Sequence, residues 1–88
     1  MYDVRLATRA ERGLRAIRSR DPRAYPRIVR VLRDLGEDPR PSGSAKLTGF
    51  DPPAWRVRVG VYRIVYEIDD AVLTVLVINV APRGEVYR

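Results

Sequence analysis

The sequence predicts an α+β domain: an N-terminal strand, a two-helix hairpin, then an antiparallel, curled sheet with both helices packed on one of its faces. Three observations carry that expectation. Apolar residues recur at helical spacing between Thr8 and Gly36, then switch to strict alternation from Trp55 onward. The helical stripes are one-sided and need a sheet face to cover. The length, 88 residues, supplies one core and no second.

Taken in order, Tyr2 to Leu6 alternates weakly and reads as the first strand. Thr8 and Glu11 form a Thr-x-x-Glu capping box, opening a helix with Ala10, Leu14 and Ile17 on one face. Asp21-Pro22 has the pattern of an N-cap followed by proline at the first helical position. Tyr25, Ile28, Val29, Leu32 and Leu35 then mark a strongly amphipathic second helix, which begins either near Asp21 with a bend at Pro26 or near Tyr25. Gly36 is its expected end. A Pro/Gly/Ser loop from Glu37 to Ser44 leads to a short strand, Ala45 to Thr48. Asp51-Pro52-Pro53 then punctuates the chain before an arginine-rich hairpin. Asp69-Asp70 makes the next turn. Val72 to Val80, apolar on both faces apart from Thr74 and Asn79, reads as a strand central in its sheet.

Composition narrows the chemistry. Hydrophobic content of 45% and charged content of 32% describe a folded domain rather than a disordered one. Cysteine and histidine are both absent, which removes disulfides, thiol nucleophiles, Cys/His zinc sites and the commonest general base. No metal or cofactor is expected. The start carries no signal-peptide pattern and no apolar run approaches the ~20 residues of a membrane span, so a cytoplasmic protein without a membrane partner is expected. Net charge is +6 with a pI near 10.5, which calls for an anionic partner, nucleic acid before membrane or acidic protein. All but one of the 17 basic residues are arginine; Lys46 is the exception. Codon usage in a GC-rich genome accounts for arginine over lysine but not for the excess of positive charge.

The hairpin Trp55-Arg56-Val57-Arg58-Val59-Gly60-Val61-Tyr62-Arg63-Ile64-Val65-Tyr66 is the most specific stretch. A two-residue turn at Gly60-Val61, with glycine where type II′ needs φ > 0, sets Arg58 opposite Arg63 and Arg56 opposite Val65. Trp55, Val57, Val59, Tyr62, Ile64 and Tyr66 share the other face and are assigned to the core. Like charges directly across a strand pair are destabilising, and a bound phosphate would offset that cost.

Together, Tyr2-Asp3-Val4, the helix pair, Asp38-Pro39-Arg40-Pro41, Lys46-Leu47 with Gly49, the arginine hairpin, Arg83 and Val86-Tyr87 resemble one family over nearly the whole chain. That family is the RelE-like toxins of the RelE/ParE superfamily, toxin halves of bacterial type II toxin–antitoxin pairs. The resemblance implies a single toxin domain over residues 1–88 with a RelE-like, microbial-RNase-like fold. It implies a ribosome-dependent mRNA endoribonuclease (mRNA interferase) that inhibits translation, held in a hetero-oligomer by a cognate RelB-like antitoxin. Ribosome and mRNA are then partners, with ribosomal RNA contacted through the basic surface. Catalytic roles fall on Arg58, Arg63, Arg83 and Tyr87, and RNA contacts on Arg56 and Lys46.

The family often has lysine at the first two hairpin positions and histidine before the late arginine. Here these are Arg56, Arg58 and Pro82. Arginine does not deprotonate in proteins, so Tyr87, helped by Lys46, is the remaining titrating candidate. The implied chemistry is metal-free attack of a ribose 2′-OH on the adjacent phosphorus. Tyr87 acts either as base or as a stacking platform for a nucleobase. The helix arginines Arg23, Arg27, Arg30 and Arg33 read as a solvated face that is also available to ribosomal RNA. Two other readings stay open: a ParE-type inhibitor of DNA gyrase on the same fold, and a non-catalytic nucleic-acid-binding or degenerate toxin.

Overall fold

A computed structural model describes residues 1–84. Its elements run β1 (Asp3–Leu6), α1 (Thr8–Arg20), α2 (Ala24–Glu37), β2 (Ala45–Leu47), β3 (Ala54–Val59), β4 (Tyr62–Asp69) and β5 (Thr74–Pro82). The strands form one five-stranded sheet in the order β1-β5-β4-β3-β2. The expected α+β layer is present, with one addition: β1 pairs with β5 in parallel, so the sheet is mixed. That pairing needs a long crossover, and the two helices supply it.

Both helices cover one face. Ala10, Leu14 and Ile17 of α1 and Ile28, Leu32 and Leu35 of α2 close over Val57, Val59, Ile64, Tyr66, Val75, Val77 and Val80. Trp55 and Tyr62 pack half-buried against this core, and Tyr66 is fully buried within it, as their alternation required. The Tyr66 hydroxyl meets the desolvation cost by donating to the Pro39 carbonyl at 2.8 Å. The opposite face carries only a small apolar cluster of Ala54 and Val65 with Leu47, Ile78 and Ala81.

Several local expectations are corrected. Thr8 is not an N-cap: Ala7 takes that place, in extended conformation and without a side-chain bond. The Ala7 N–H is still engaged with the Val77 carbonyl, so the chain passes from strand to helix with no residue to spare. α2 begins at Ala24, yet Asp21 retains a capping role, its backbone and side-chain oxygens accepting from the Ala24 N–H at 3.0 and 3.3 Å. Pro26 is tolerated because the first N–H groups of a helix have no intrahelical acceptor. α2 runs one residue past Gly36. That glycine serves proximity: the Tyr2 N–H donates to its carbonyl at 2.6 Å, and a Cβ there would stand 3.0 Å from the Tyr2 carbonyl oxygen.

β5 starts two residues later than its apolar run. Val72 and Leu73 lie in an exposed turn capped by the Asp69 carboxylate, which accepts from the Ala71 and Val72 N–H groups. Farther along, the β4–β5 register slips between Val65 and Tyr66, leaving Ile78 as an extra residue on β5. The slip puts Val80 rather than Asn79 in phase with the core face and sends Ile78 and Ala81 to the other.

Candidate functional site

The β3–β4 hairpin has the register its sequence required: Val59 opposite Tyr62, Arg58 opposite Arg63, Val57 opposite Ile64 and Arg56 opposite Val65. Gly60 sits at φ 61° while Val61 stays outside the left-handed region, the φ signs of a II′ turn. Arg56, Arg58 and Arg63 therefore share the sheet face that the helices leave open. Arg58 is exposed; Arg56 and Arg63 are half-buried, and the Arg63 Nε is shielded from solvent. Arg56 donates from Nη1 to the Gly43 carbonyl at 3.2 Å, which ties it to the loop before β2.

Arg83 joins this end of the sheet through its backbone. Its N–H donates to the Val61 carbonyl at 2.8 Å, so the residue after β5 is fastened to the hairpin turn, and its side chain is exposed. Four arginines from three stretches of chain thus collect at one end of the open face. Tyr87 lies outside the described residues. Lys46 is not brought to this group. It pairs with Trp55, whose side lies toward the helices, whereas its neighbours Ala45 and Leu47 stand opposite Arg56 and Ala54. The sequence could not show this, because the β2–β3 register is set by a loop rather than a tight turn.

Tyr2, Tyr62 and Tyr66 are each held toward the protonated form. Tyr62 donates its hydroxyl to Asp21 at 2.9 Å, and that hydrogen bond, with some desolvation, raises its pKa above 10.0. Burial does the same to Tyr66, and Asp70 to Tyr2. The Tyr62–Asp21 bond also fastens the hairpin to the helix junction, a link between residues 41 apart that no sequence signal announces. Arg27 of α2 closes over the turn from the helix side: a Cβ on Gly60 would stand 2.7 Å from its Nη2. At the far end of the sheet, Arg40 grips Asp70 at 2.9 and 3.3 Å and stacks on Trp55 at 5.3 Å, anchoring the Asp38–Pro41 loop.

A small α+β domain with four arginines at one end of an uncovered sheet face defines a protein with a cationic open face. Comparison with known proteins gives the family. The model of the ParE toxin of type II toxin–antitoxin systems, parDE, matches residues 4–87. The chain is 33% identical over 91 residues to toxin RelG of Mycobacterium tuberculosis, covering 99% of this chain and 97% of that protein. It superposes on the M. tuberculosis RelBE2 toxin–antitoxin complex with a TM-score of 0.77 and 31% identity, over 93% of this chain and 98% of that one. The Pyrococcus horikoshii RelE–RelB complex shares the fold, with a TM-score of 0.78 at 24% identity over 96% and 97% of the two chains. The chain belongs to the RelE/ParE superfamily of type II toxin–antitoxin toxins.

Proposed function

We propose that this toxin is a ribosome-dependent mRNA endoribonuclease. The observation that carries the reading is the apposition of Arg58 and Arg63 on the open face, with Arg83 fastened to the same hairpin turn. The ribose 2′ oxygen attacks phosphorus and the bond to the 5′ oxygen breaks. The products are a 2′,3′-cyclic phosphate and, once the leaving oxygen takes up a proton, a 5′-OH. Arg58, Arg63 and Arg83 stabilise charge on the phosphorane oxygens, Arg56 holds the RNA backbone, and Tyr87 takes the 2′ proton or stacks on a base. Lys46, on the helix side, is left an RNA contact remote from the chemistry. A cognate antitoxin is the partner that restrains the toxin, as the complexes formed by its relatives suggest.

Primer-extension mapping of mRNA incubated with the toxin, with and without ribosomes, tests this. Cleavage is expected only with ribosomes, and Arg63→Ala is expected to slow it by roughly 100- to 1000-fold, the usual effect of removing one preorganised donor to a developing oxyanion. Products ending in 3′-OH and 5′-phosphate, or Arg63→Ala and Tyr87→Ala variants that arrest growth like wild type, overturn the assignment. The parDE description of the matching family favours one second reading, a gyrase-directed toxin. Intact mRNA together with inhibited gyrase supercoiling would select it.

A further inference from the structure

The open face is charged oppositely at its two ends. Along β4 the residues that point away from the helices are Arg63, Val65, Glu67 and Asp69, so the strand runs from positive through apolar to negative. Arg56 and Arg58 extend the positive end across β3. At the negative end, Glu67 stands opposite Leu76, and Asp69 opposite Thr74, with Arg5 and Asp3 of β1 beyond them. These residues line an open hollow of about 730 Å³. Asp3 is neutralised by Arg5 at 3.0 Å and Asp70 by Arg40 at 2.9 Å. Among the described residues no ion pair involves Glu67 or Asp69.

The spacing decides what this asymmetry does. Glu67 lies four steps along the strand from Arg63, about 13 Å at ~3.3 Å per residue. That exceeds the Debye length of about 8 Å at physiological salt. The two ends therefore do not cancel, and each acts on its own stretch of a bound polyanion. A single strand lying along β4 would leave the arginines, cross the apolar cluster around Val65 and Ile78, and then set phosphates against Glu67 and Asp69. A strand crossing from β3 over β4 meets Arg58 and Arg63 and then, past Ala81 of β5, the end of the strand where Arg83 is fastened.

We infer that Glu67 and Asp69 are specificity-determining residues: they bar single-stranded RNA from running along β4 and confine it to a path across the strands, over Arg56, Arg58, Arg63 and Arg83. The inference rests on the RNA-cleaving reading above. Such a path gives the free toxin a short footprint, so that binding of a long stretch of RNA depends on the ribosome.

The test is a fluorescence titration of labelled 2′-O-methyl oligouridines of increasing length, which bind but cannot be cleaved. It compares wild type with Glu67→Gln/Asp69→Asn. Asparagine keeps the acceptor that caps the 69–72 turn, and matched thermal unfolding confirms the fold. A helix-side control, Asp34→Asn/Glu37→Gln, removes the same formal charge away from this face. Wild type is expected to show a log–log salt slope of about −3, from four phosphate contacts at ~0.7 each. The Glu67/Asp69 variant is expected to bind about three- to tenfold tighter than the control variant, and its affinity should keep rising with oligomer length after wild type has levelled off. Equal affinities for the two double variants, or an unchanged length at saturation, overturn the inference while leaving the nuclease reading standing. Unchanged RNA binding with weakened antitoxin binding overturns it too, and makes the acidic end a protein-docking patch. A wild type that binds no oligouridine overturns the inference, and the nuclease reading is then decided by primer extension with ribosomes present.

Discussion

Gly13→Ala is expected to destabilise this toxin, although the same change in an ordinary helix stabilises by about 1 kcal/mol. Gly13 lies in α1 where the helix crosses β5, and a Cβ there would sit 2.1 Å from the Val80 carbonyl oxygen and 3.2 Å from its carbon. Real Cβ contacts stay beyond 3.0 Å, so helix and strand must part by about 1 Å. Both partners are backbone, and no rotamer change can relieve the clash. Val80 is buried beneath Ala10, Leu14 and Ile17, so separation loosens the core shared by α1 and β5. Overpacking of a tight interior costs about 1–3 kcal/mol, and the absence of a flexible neighbour argues for the upper end. Setting about 3 kcal/mol against the propensity gain leaves a net loss near 2 kcal/mol. For a domain of this size that is a fall in Tm of roughly 10 °C. Far-UV circular dichroism on heating, with urea unfolding to check that the m-value is unchanged, measures it. Ser19→Ala, exposed on the same helix, should move Tm little. A Gly13→Ala protein as stable as wild type, or more so, would refute the claim that α1 rests directly on the β5 backbone.

Two further outcomes follow from particular contacts. Tyr66→Phe removes the buried hydroxyl that donates to the Pro39 carbonyl and should cost about 0.5–1.5 kcal/mol in urea unfolding, with the m-value unchanged; an unaltered midpoint would show that the bond contributes nothing net. Asp70 is held below its ordinary value of 3.8, first by hydrogen bonds from Arg40 and then by the Tyr2 hydroxyl. A lowered folded-state pKa stabilises above the unfolded value and loses that contribution as pH falls through the folded one. Wild type should therefore unfold at higher urea than Asp70→Asn at pH 7, and the gap should close as pH falls below 3.8 and on through the lower folded-state value. A gap that persists in acid would mean that the effect is packing, not charge.

How much of this was legible in the sequence depended on what fixes each register. The hairpin was read pair by pair because a two-residue turn with a left-handed glycine admits one alignment, and alternation then assigns every side chain to a face. The aromatic residues of the core followed from the same rule. Where no short turn pinned the chain, the sequence misled. Val72 and Leu73 look like strand but serve a turn organised by Asp69, and the extra residue at Ile78 leaves no compositional trace. The resemblance groups Lys46 with Arg56 as an RNA contact, and only the β2–β3 pairing shows it on the other side. Gly36 reads as a helix stop; it and Gly13 are points where another backbone comes too close for a side chain. Contacts of that kind are tertiary, and periodicity carries no signal for them.

The comparisons join a family described through parDE to a relative named RelG, and the fold explains how one chain matches both. The fold is held by the helix-covered face: the stripes of α1 and α2, the alternate apolar positions of β3 to β5, and the glycines at the backbone crossings. The activity proposed here is carried by the other face, where Arg56, Arg58 and Arg63 point away from the core and Arg83 is placed by a main-chain bond. Side chains on one face of a strand can change without disturbing those on the other. A scaffold of this kind can therefore keep its core while its open face is rewritten for a different target. The decisive residues for function are then the ones that contribute least to the fold, and substituting the open-face arginines at constant stability is the experiment that separates an RNA-cleaving toxin from a gyrase-directed one.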